Sequence, residues 1–306
     1  MRVIDECLAA QLMPQLDTDA NKYTRGTCEL VVGDSTYPGA GVLAVMAATR
    51  MGAGYIKAYT SDETARALRV LHPSAVTSAF EQYDVEHRIQ DKHHPCATVV
   101  GCGLCATEEN TRLVTSVITT AAAPLLLDGG ALTVLTSKEG FTALMAHHAA
   151  GFPALITPHG GEAARLLAAL PNLEKGKISS ASARGNSPCI ESSAAHDALR
   201  LARAYKLVCV LKGPKTYIAT PQDTLDDVRV FEDGSPALAK AGTGDVLAGC
   251  IGALLAQGLS AADAAMLGVF MHGRAGVLAA SEIGTFGVIT EDVVRMLPRV
   301  AQTLMV

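Results

Sequence analysis

Ala241-Gly242-Thr243-Gly244-Asp245 runs directly into Val246-Leu247-Ala248-Gly249-Cys250-Ile251-Gly252-Ala253-Leu254-Leu255-Ala256, a stretch without a single charge. The second segment reads as a buried helix over 245–257, so the first is the turn that opens it. Glycines let consecutive backbone N–H groups converge on one point, and a helix N-terminus adds partial positive charge there. Such a turn favours a transferring phosphoryl group. A carboxylate in the same turn disfavours a resting anion, and Asp245 therefore has two readings. In one it takes a proton from an attacking hydroxyl while the amides of Gly242, Thr243 and Gly244 hold the developing charge. In the other it caps the helix after a glycine turn.

Outward from this turn, β-branched apolar runs alternate with Ala- and Leu-rich segments at helical period. That alternation predicts an α/β fold, a parallel sheet with helices on both faces. Strands are expected at 29–32, 55–59, 98–101, 124–128, 154–157, 208–212 and 216–219. The clearest helices are 39–51, 62–71, 108–122, 161–170, 192–205, 245–257, 261–280 and 291–304. The runs 216–219 and 228–232 flank a Pro-Gln-Asp turn region and predict a hairpin at the sheet edge. No composition break divides residues 1–306, which read as one domain. Residues 172–193 are Ser-rich, charged and aperiodic, and predict an exposed, mobile loop.

Bulk composition narrows the function classes. The chain has 306 residues, is 49% hydrophobic and carries a net charge of −5 spread without blocks of like sign. Nothing in that distribution attracts nucleic acid or an anionic membrane. The N-terminus lacks a basic-then-apolar leader and no charge-free apolar run reaches about 18 residues, so a cytoplasmic protein is expected. The eight cysteines are scattered through the chain and read as reduced, buried thiols. Cys102-Gly103-Leu104-Cys105 spells C-x-x-C, but a zinc ribbon needs a second pair. His93-His94 and His147-His148 lack a third ligand at helical spacing and read as solvated turn histidines. No protein metal site is expected.

In parallel sheets, ligands gather at the carboxyl ends of the strands. The small-residue loops lie there: 33–41, Gly101-Cys102-Gly103-Leu104, Asp128-Gly129-Gly130, Pro158-His159-Gly160-Gly161-Glu162 and Gly213-Pro214. Gly101-x-Gly103-x-x-Ala106 is a partial dinucleotide fingerprint with Asp128 as its ribose partner, which would mean hydride chemistry. Lys212-Gly213-Pro214-Lys215-Thr216 ends a strand with glycine, two cations and a hydroxyl. That suits an anionic or nucleotide partner, or else a basic turn opening a hairpin. A Walker A pattern is absent. His159 reads as a ligand-bonding residue or a polar turn residue, and Glu162 as an N-terminal helix acid.

Together these motifs, in this order, resemble the ADP-dependent (S)-NAD(P)H-hydrate dehydratases of the ribokinase-like family. The resemblance covers the chain from Lys22 onward and includes Lys22-Tyr23-Thr24-Arg25-Gly26 and Tyr37-Pro38-Gly39-Ala40. It implies a three-layer α/β/α sandwich with a mostly parallel central sheet. It also implies that Ala40, Gly103, His159 and Asp245 line the hydrate site, while Lys212, Gly213, Pro214, Lys215, Thr216 and Gly244 hold the adenine nucleotide. The implied chemistry moves a terminal phosphoryl group from ADP or ATP to the ring hydroxyl of hydrated NADH or NADPH, with Asp245 as base and Mg2+ bridging nucleotide oxygens. Phosphate is then eliminated. A homo-oligomer is implied as well.

Three positions depart from the family pattern. Asp128-Gly129-Gly130 stands where Asp-Ala-Asp is common, Cys105 where glycine is usual, and the 172–193 loop is long. The N-terminal epimerase domain of some relatives has no counterpart in this sequence, so a separate epimerase is expected. Two alternatives remain at this level: a vitamin-precursor kinase of the same fold, and an adenine-nucleotide-binding protein with weakened catalysis.

Overall fold

The computed structural model describes residues 1–15, 17–83, 94–173 and 190–305. Its strands are β1 (Arg2–Val3), β2 (Thr27–Val31), β3 (Tyr55–Tyr59), β4 (Val76–Ser78), β5 (Cys96–Val100), β6 (Leu125–Leu127), β7 (Ala154–Ile156), β8 (Val208–Leu211), β9 (Thr216–Ala219) and β10 (Arg229–Phe231). They form a single sheet in the order β1-β10-β9-β8-β7-β6-β5-β2-β3-β4. From β8 through β4 every pairing is parallel, and only β9 runs antiparallel to its two neighbours.

The helices are α1 (Glu6–Leu12), α2 (Pro38–Arg50), α3 (Asp62–Leu71), α4 (Glu108–Thr120), α5 (Gly130–Val134), α6 (Lys138–Ala149), α7 (Gly160–Leu173), α8 (Ile190–Tyr205), α9 (Thr243–Ala256), α10 (Ala261–Ile283) and α11 (Thr290–Leu304). Successive strand residues point to opposite faces, so a parallel sheet covered on both sides needs apolar residues at every position. Leu30, Val99, Leu126 and Leu155 accordingly join a core with α2, α9, α10 and α11. Their chain neighbours Val31, Val100, Leu127 and Ile156 join the opposite core with α4 to α8. The three-layer α/β/α arrangement expected from the alternation is the one observed.

α9 is apolar all round because it is buried all round. Every residue from Val246 to Ala256 is buried. Gly249 brings it against α2 so closely that a Cβ there would lie 2.2 Å from the Ala44 carbonyl oxygen. α10 is long and apolar enough to cross a bilayer by length and composition alone, but two thirds of its apolar window is buried inside the protein.

Several details correct the sequence reading. The 216–219 and 228–232 hairpin forms as β9 and β10, but it is not the sheet edge, since β1 pairs in parallel with β10. β1 has two residues and β4 three, too few for a periodic signal, and α1, α5 and α6 were likewise not foreseen. The 172–193 segment is partly helical: α7 continues to Leu173 with Pro171 inside it, and α8 begins at Ile190. Residues 174–189 lie outside the described residues, as does His93. His147 is not a solvated turn histidine. It is 1% exposed in the last turn of α6, and burial lowers its pKa. Cys28, Cys102, Cys209 and Cys250 are buried free thiols as expected, whereas Cys7 is exposed and Cys96 and Cys105 are half-buried.

Candidate active site

Because β2, β5, β6, β7 and β8 are parallel, the loops that follow them share one edge of the sheet, and the N-terminus of α9 opens onto the same edge. Gly242 is the N-cap residue of α9, with φ of +91°, a conformation that glycine adopts without strain. The turn is bolted from three sides. Thr243 Oγ1 lies 2.9 Å from the carbonyls of Leu238 and Lys240. Thr290 Oγ1 donates to the Ala241 carbonyl at 2.9 Å, and Lys240 Nζ donates to the carbonyls of Phe286 and Val288. The Thr243 hydroxyl is thus spent inside the turn. What the turn offers a ligand is its backbone amides and the carboxylate of Asp245.

That carboxylate turns inward. Donor atoms of Cys102, Asp128 and Asp245 all lie within 4.8 Å of one another. Burial, and then the Asp128 charge, push the Asp245 pKa up to about 6, against the pull of Lys212 and a Cys102 hydrogen bond. Burial and the two carboxylates likewise hold the Cys102 thiol well above its usual range. Cys102 is a protonated donor here, not a thiolate, and it donates towards Asp128 Oδ2 at 3.9 Å.

Lys212 completes the cluster. Its backbone extends β8 by a parallel bridge to His159 and donates to the Pro158 carbonyl at 2.8 Å. Its Nζ reaches Asp128 Oδ1 at 2.8 Å, and Thr157 Oγ1 donates to the same oxygen at 2.7 Å. Burial pulls the Lys212 pKa down, but the charge and hydrogen bond of Asp128, together with the nearby Glu162 and Cys102, outweigh it and the ammonium is stabilised. A Cβ on Gly244 would stand 3.2 Å from Lys212 Nζ. The cation therefore rests against the first turn of α9.

Ala40 and Gly103 meet on the other side of the site. Gly103 has φ of +67°, and a Cβ there would fall 2.8 Å from Ala40 Cβ and 2.7 Å from the Tyr37 carbonyl oxygen. One turn along α2, Leu43 touches Gly242, so the Ala40–Gly103 contact adjoins the α9 turn. Asp34 ties the two loops together. It accepts from the amides of Thr36 (2.8 Å), Tyr37 (3.1 Å) and Cys105 (2.6 Å) and from Asn110 Nδ2 (3.1 Å). Burial raises its pKa, but those hydrogen bonds outweigh burial and hold it below the usual carboxylate value.

His159 sits at the rim with its side chain 58% exposed. Its Nδ1 accepts from the Gly161 amide at 3.0 Å, and the Glu162 carboxylate accepts from the His159 amide at 2.8 Å, the N-terminal role expected of Glu162. The 212–216 run divides. Lys212 points inward, whereas Lys215 pairs with Glu232 at 3.0 Å, and Thr216 opens β9.

The structure therefore joins Ala40, Gly103, Lys212, Gly244 and Asp245 in one neighbourhood, with His159 at its edge. Sequence reasoning gave no role to Asp34, Thr157, Lys240 or Thr290, whose work is local hydrogen bonding. Asp128 entered only as the ribose partner of a weak dinucleotide fingerprint; in the structure one of its oxygens holds Lys212 and Thr157. Gly130 opens α5, and a Cβ there would lie 2.1 Å from the Leu104 carbonyl oxygen, so this backbone leaves no room for an acid. Cys105 does not need glycine's freedom, since Lys206 is the residue other than glycine with positive φ among those described. It lines a cavity of about 170 Å3 with Leu104, Asn110, Val114, Gly130 and Val134.

The profile of a family described as NAD(P)H-hydrate dehydratase matches residues 28–299, a span that includes every site residue above. The chain belongs to the NAD(P)H-hydrate dehydratase family. An ADP-dependent (S)-NAD(P)H-hydrate dehydratase from Xanthomonas campestris is 32% identical, over 97% of this chain and 94% of its own length. A bifunctional NAD(P)H-hydrate repair enzyme from Thermofilum pendens is also 32% identical, over 95% of this chain but only 53% of its own. The chain thus spans about half the length of the bifunctional relatives. The crystal structure of an ADP/ATP-dependent NAD(P)H-hydrate dehydratase from Bacillus subtilis, co-crystallised with ATP and Mg2+, superposes with a TM-score of 0.78 at 27% identity, covering 99% of this chain and 98% of that one. A ribokinase-like superfamily protein from Enterococcus faecalis superposes with a TM-score of 0.76 at 21% identity, covering 99% and 96%, which supports the ribokinase-like fold. Membership of this dehydratase family does not favour hydride chemistry or a vitamin-precursor kinase.

Proposed function

We propose that this chain, as a single catalytic unit over residues 1–306, restores NADH and NADPH from their (S)-hydrates at the cost of a phosphoanhydride bond in ADP or ATP. The observation that carries the proposal is Asp245, a half-buried carboxylate at the N-terminus of α9 with its pKa raised to about 6. That value leaves it largely ionised at neutral pH yet basic enough to accept a proton.

The ring hydroxyl of the hydrate gives its proton to Asp245 as its oxygen attacks the terminal phosphorus. The P–O bond to the nucleotide breaks and a shortened nucleotide leaves. Amides from Ala241 to Gly244 face the charge that gathers on the phosphoryl oxygens. The ring nitrogen's lone pair then expels phosphate by breaking the C–O bond. Loss of a proton from the neighbouring ring carbon to the departing phosphate restores the dihydropyridine. Ala40, Gly103 and His159 are proposed to hold the hydrate, and Lys212 to Thr216 with Gly244 the nucleotide.

Magnesium enters as part of the nucleotide substrate. The Cys102–Asp128–Asp245 group is a poor cage for it, since a hard cation prefers oxygen ligands and one oxygen of Asp128 is already occupied by Lys212. Phosphate oxygens and water supply the ligands instead. Free thiols such as Cys28 and Cys250 suit a reducing, cytoplasmic setting, and a homo-oligomer is the proposed assembly. Incubation with hydrated NADH, Mg2+ and either ADP or ATP, followed by absorbance of restored NADH, tests the reading. No recovery with either nucleotide refutes it.

A further inference from the structure

Asp128 touches neither ligand in the scheme above, yet its carboxylate is immobilised by donors from three strand ends. Cys102 follows β5, Thr157 follows β7 and Lys212 follows β8, and all three side chains converge on it. Asp128 is 3% exposed and Thr157 and Cys102 are fully buried, while the Lys212 side chain is 20% exposed, so the acid is shielded from water and the ion pair is screened less than a surface pair. Its result is the placement of one flexible cation. The Lys212 stem has four rotatable carbons, and without a fixed partner its ammonium would swing to solvent or pair with Asp245 and quench the base. Held at 2.8 Å from Asp128, it rests instead over the first turn of α9, within 3.2 Å of the space above Gly244.

We infer that Asp128 is a positioning residue for phosphoryl transfer: it anchors the Lys212 ammonium over the α9 amides, on the path of the transferring group, and withholds it from Asp245. The inference rests on the dehydratase reading. The cation then meets charge that builds on the phosphoryl oxygens in a loose transition state, without reorganising at that moment. Asp128 also leaves a negative charge beside Asp245, which keeps that carboxylate a better base.

The test uses the full chain, hydrated NADH and magnesium nucleotide, with Asp128→Asn, Lys212→Ala and the double variant. Asp128→Asn should lower kcat by about 10²-fold and raise the nucleotide KM by a smaller factor, because the misplaced Lys212 meets the nucleotide in the ground state but counts most where charge develops. At a pH well above 6, where Asp245 is ionised in every variant, the double variant should be no slower than Lys212→Ala alone, since both changes remove the anchored cation. Propylammonium added to Lys212→Ala should restore about tenfold in kcat, and none in the double variant, where nothing anchors it. A merely structural role for Asp128 would not make amine rescue depend on residue 128. Should Asp128→Asn fail to fold, Thr157→Val, which frees Asp128 without changing charge, is expected to lower kcat several-fold and weaken rescue in the Lys212→Ala background. Wild-type kcat in Asp128→Asn, multiplicative effects in the double variant, or rescue indifferent to residue 128 overturns the inference. Wild-type protein that restores no NADH overturns the dehydratase reading instead, so the two failures are distinct.

Discussion

Asp128 and Asp245 bring their carboxylates within 4.8 Å of one another and of the Cys102 thiol, and the Lys212 ammonium stands 2.8 Å from Asp128. Two acids that begin alike are thereby set apart, one ion-paired and one left with its pKa raised to about 6. Divergent environments of this kind separate a structural acid from a working base.

Asp245→Asn is expected to lower turnover by about 10²- to 10⁴-fold with nucleotide affinity nearly unchanged, because the amide cannot accept the proton but leaves the turn intact. The same change should stabilise the fold. A carboxyl whose folded pKa lies above its unfolded value costs stability once ionised, and that cost is complete above about pH 6. Thermal unfolding at pH 7 should therefore show the Asn variant more stable by about 1–2 kcal/mol. A variant that is both active and no more stable would remove Asp245 from the scheme.

The pH profile follows from the same value. The base works ionised, so kcat/KM should fall about tenfold per pH unit below about 6 and level off above it. The Asp128 charge is one cause of the raised value, so the Asp128→Asn variant should shift the inflection downward by removing it. A profile that stays flat between pH 5 and 7 contradicts a base of this kind.

Asp34→Ala leaves the amides of Thr36, Tyr37 and Cys105 and the Asn110 amide without their common acceptor. The loss should cost about 2–4 kcal/mol in denaturant unfolding. It should also raise KM for the hydrated dinucleotide, since the 33–41 and 101–105 loops carry Ala40 and Gly103. Unchanged unfolding midpoint and KM would show that the four bonds do not act as a latch.

Gly130→Asp restores the acid common in the family pattern and should nevertheless harm this protein. A Cβ at 130 meets the Leu104 carbonyl oxygen at 2.1 Å, so the α5 start and the 101–105 loop must separate. A stability loss of about 2 kcal/mol or more and no gain in turnover are expected. Full stability with faster turnover would show that the missing acid limits the enzyme.

Alternating apolar runs were enough to read eight of the strand positions and eight of the helices from residue order, though not α1, α5 or α6, because a sheet buried on both faces leaves a continuous hydrophobic record in each strand. The α9 turn was equally legible, since glycines set directly before a chargeless helix mark a tight backbone entry into it, and so was the family, through motifs whose order spans the chain. β1, β4 and α5 were not legible: two to five residues hold no period, and their place is decided by neighbours distant in sequence. Nor were the partnerships at the site. That Lys212 turns to Asp128, 84 residues away, while Lys215 turns to Glu232, depends on which strand ends lie side by side. That Asp245 titrates near 6 depends on burial and a neighbouring charge, which exist only once the chain has closed around them. Residue order determined the layers and the phosphate turn because both are local patterns. Tertiary contact decided which acid holds a cation and which has its pKa raised.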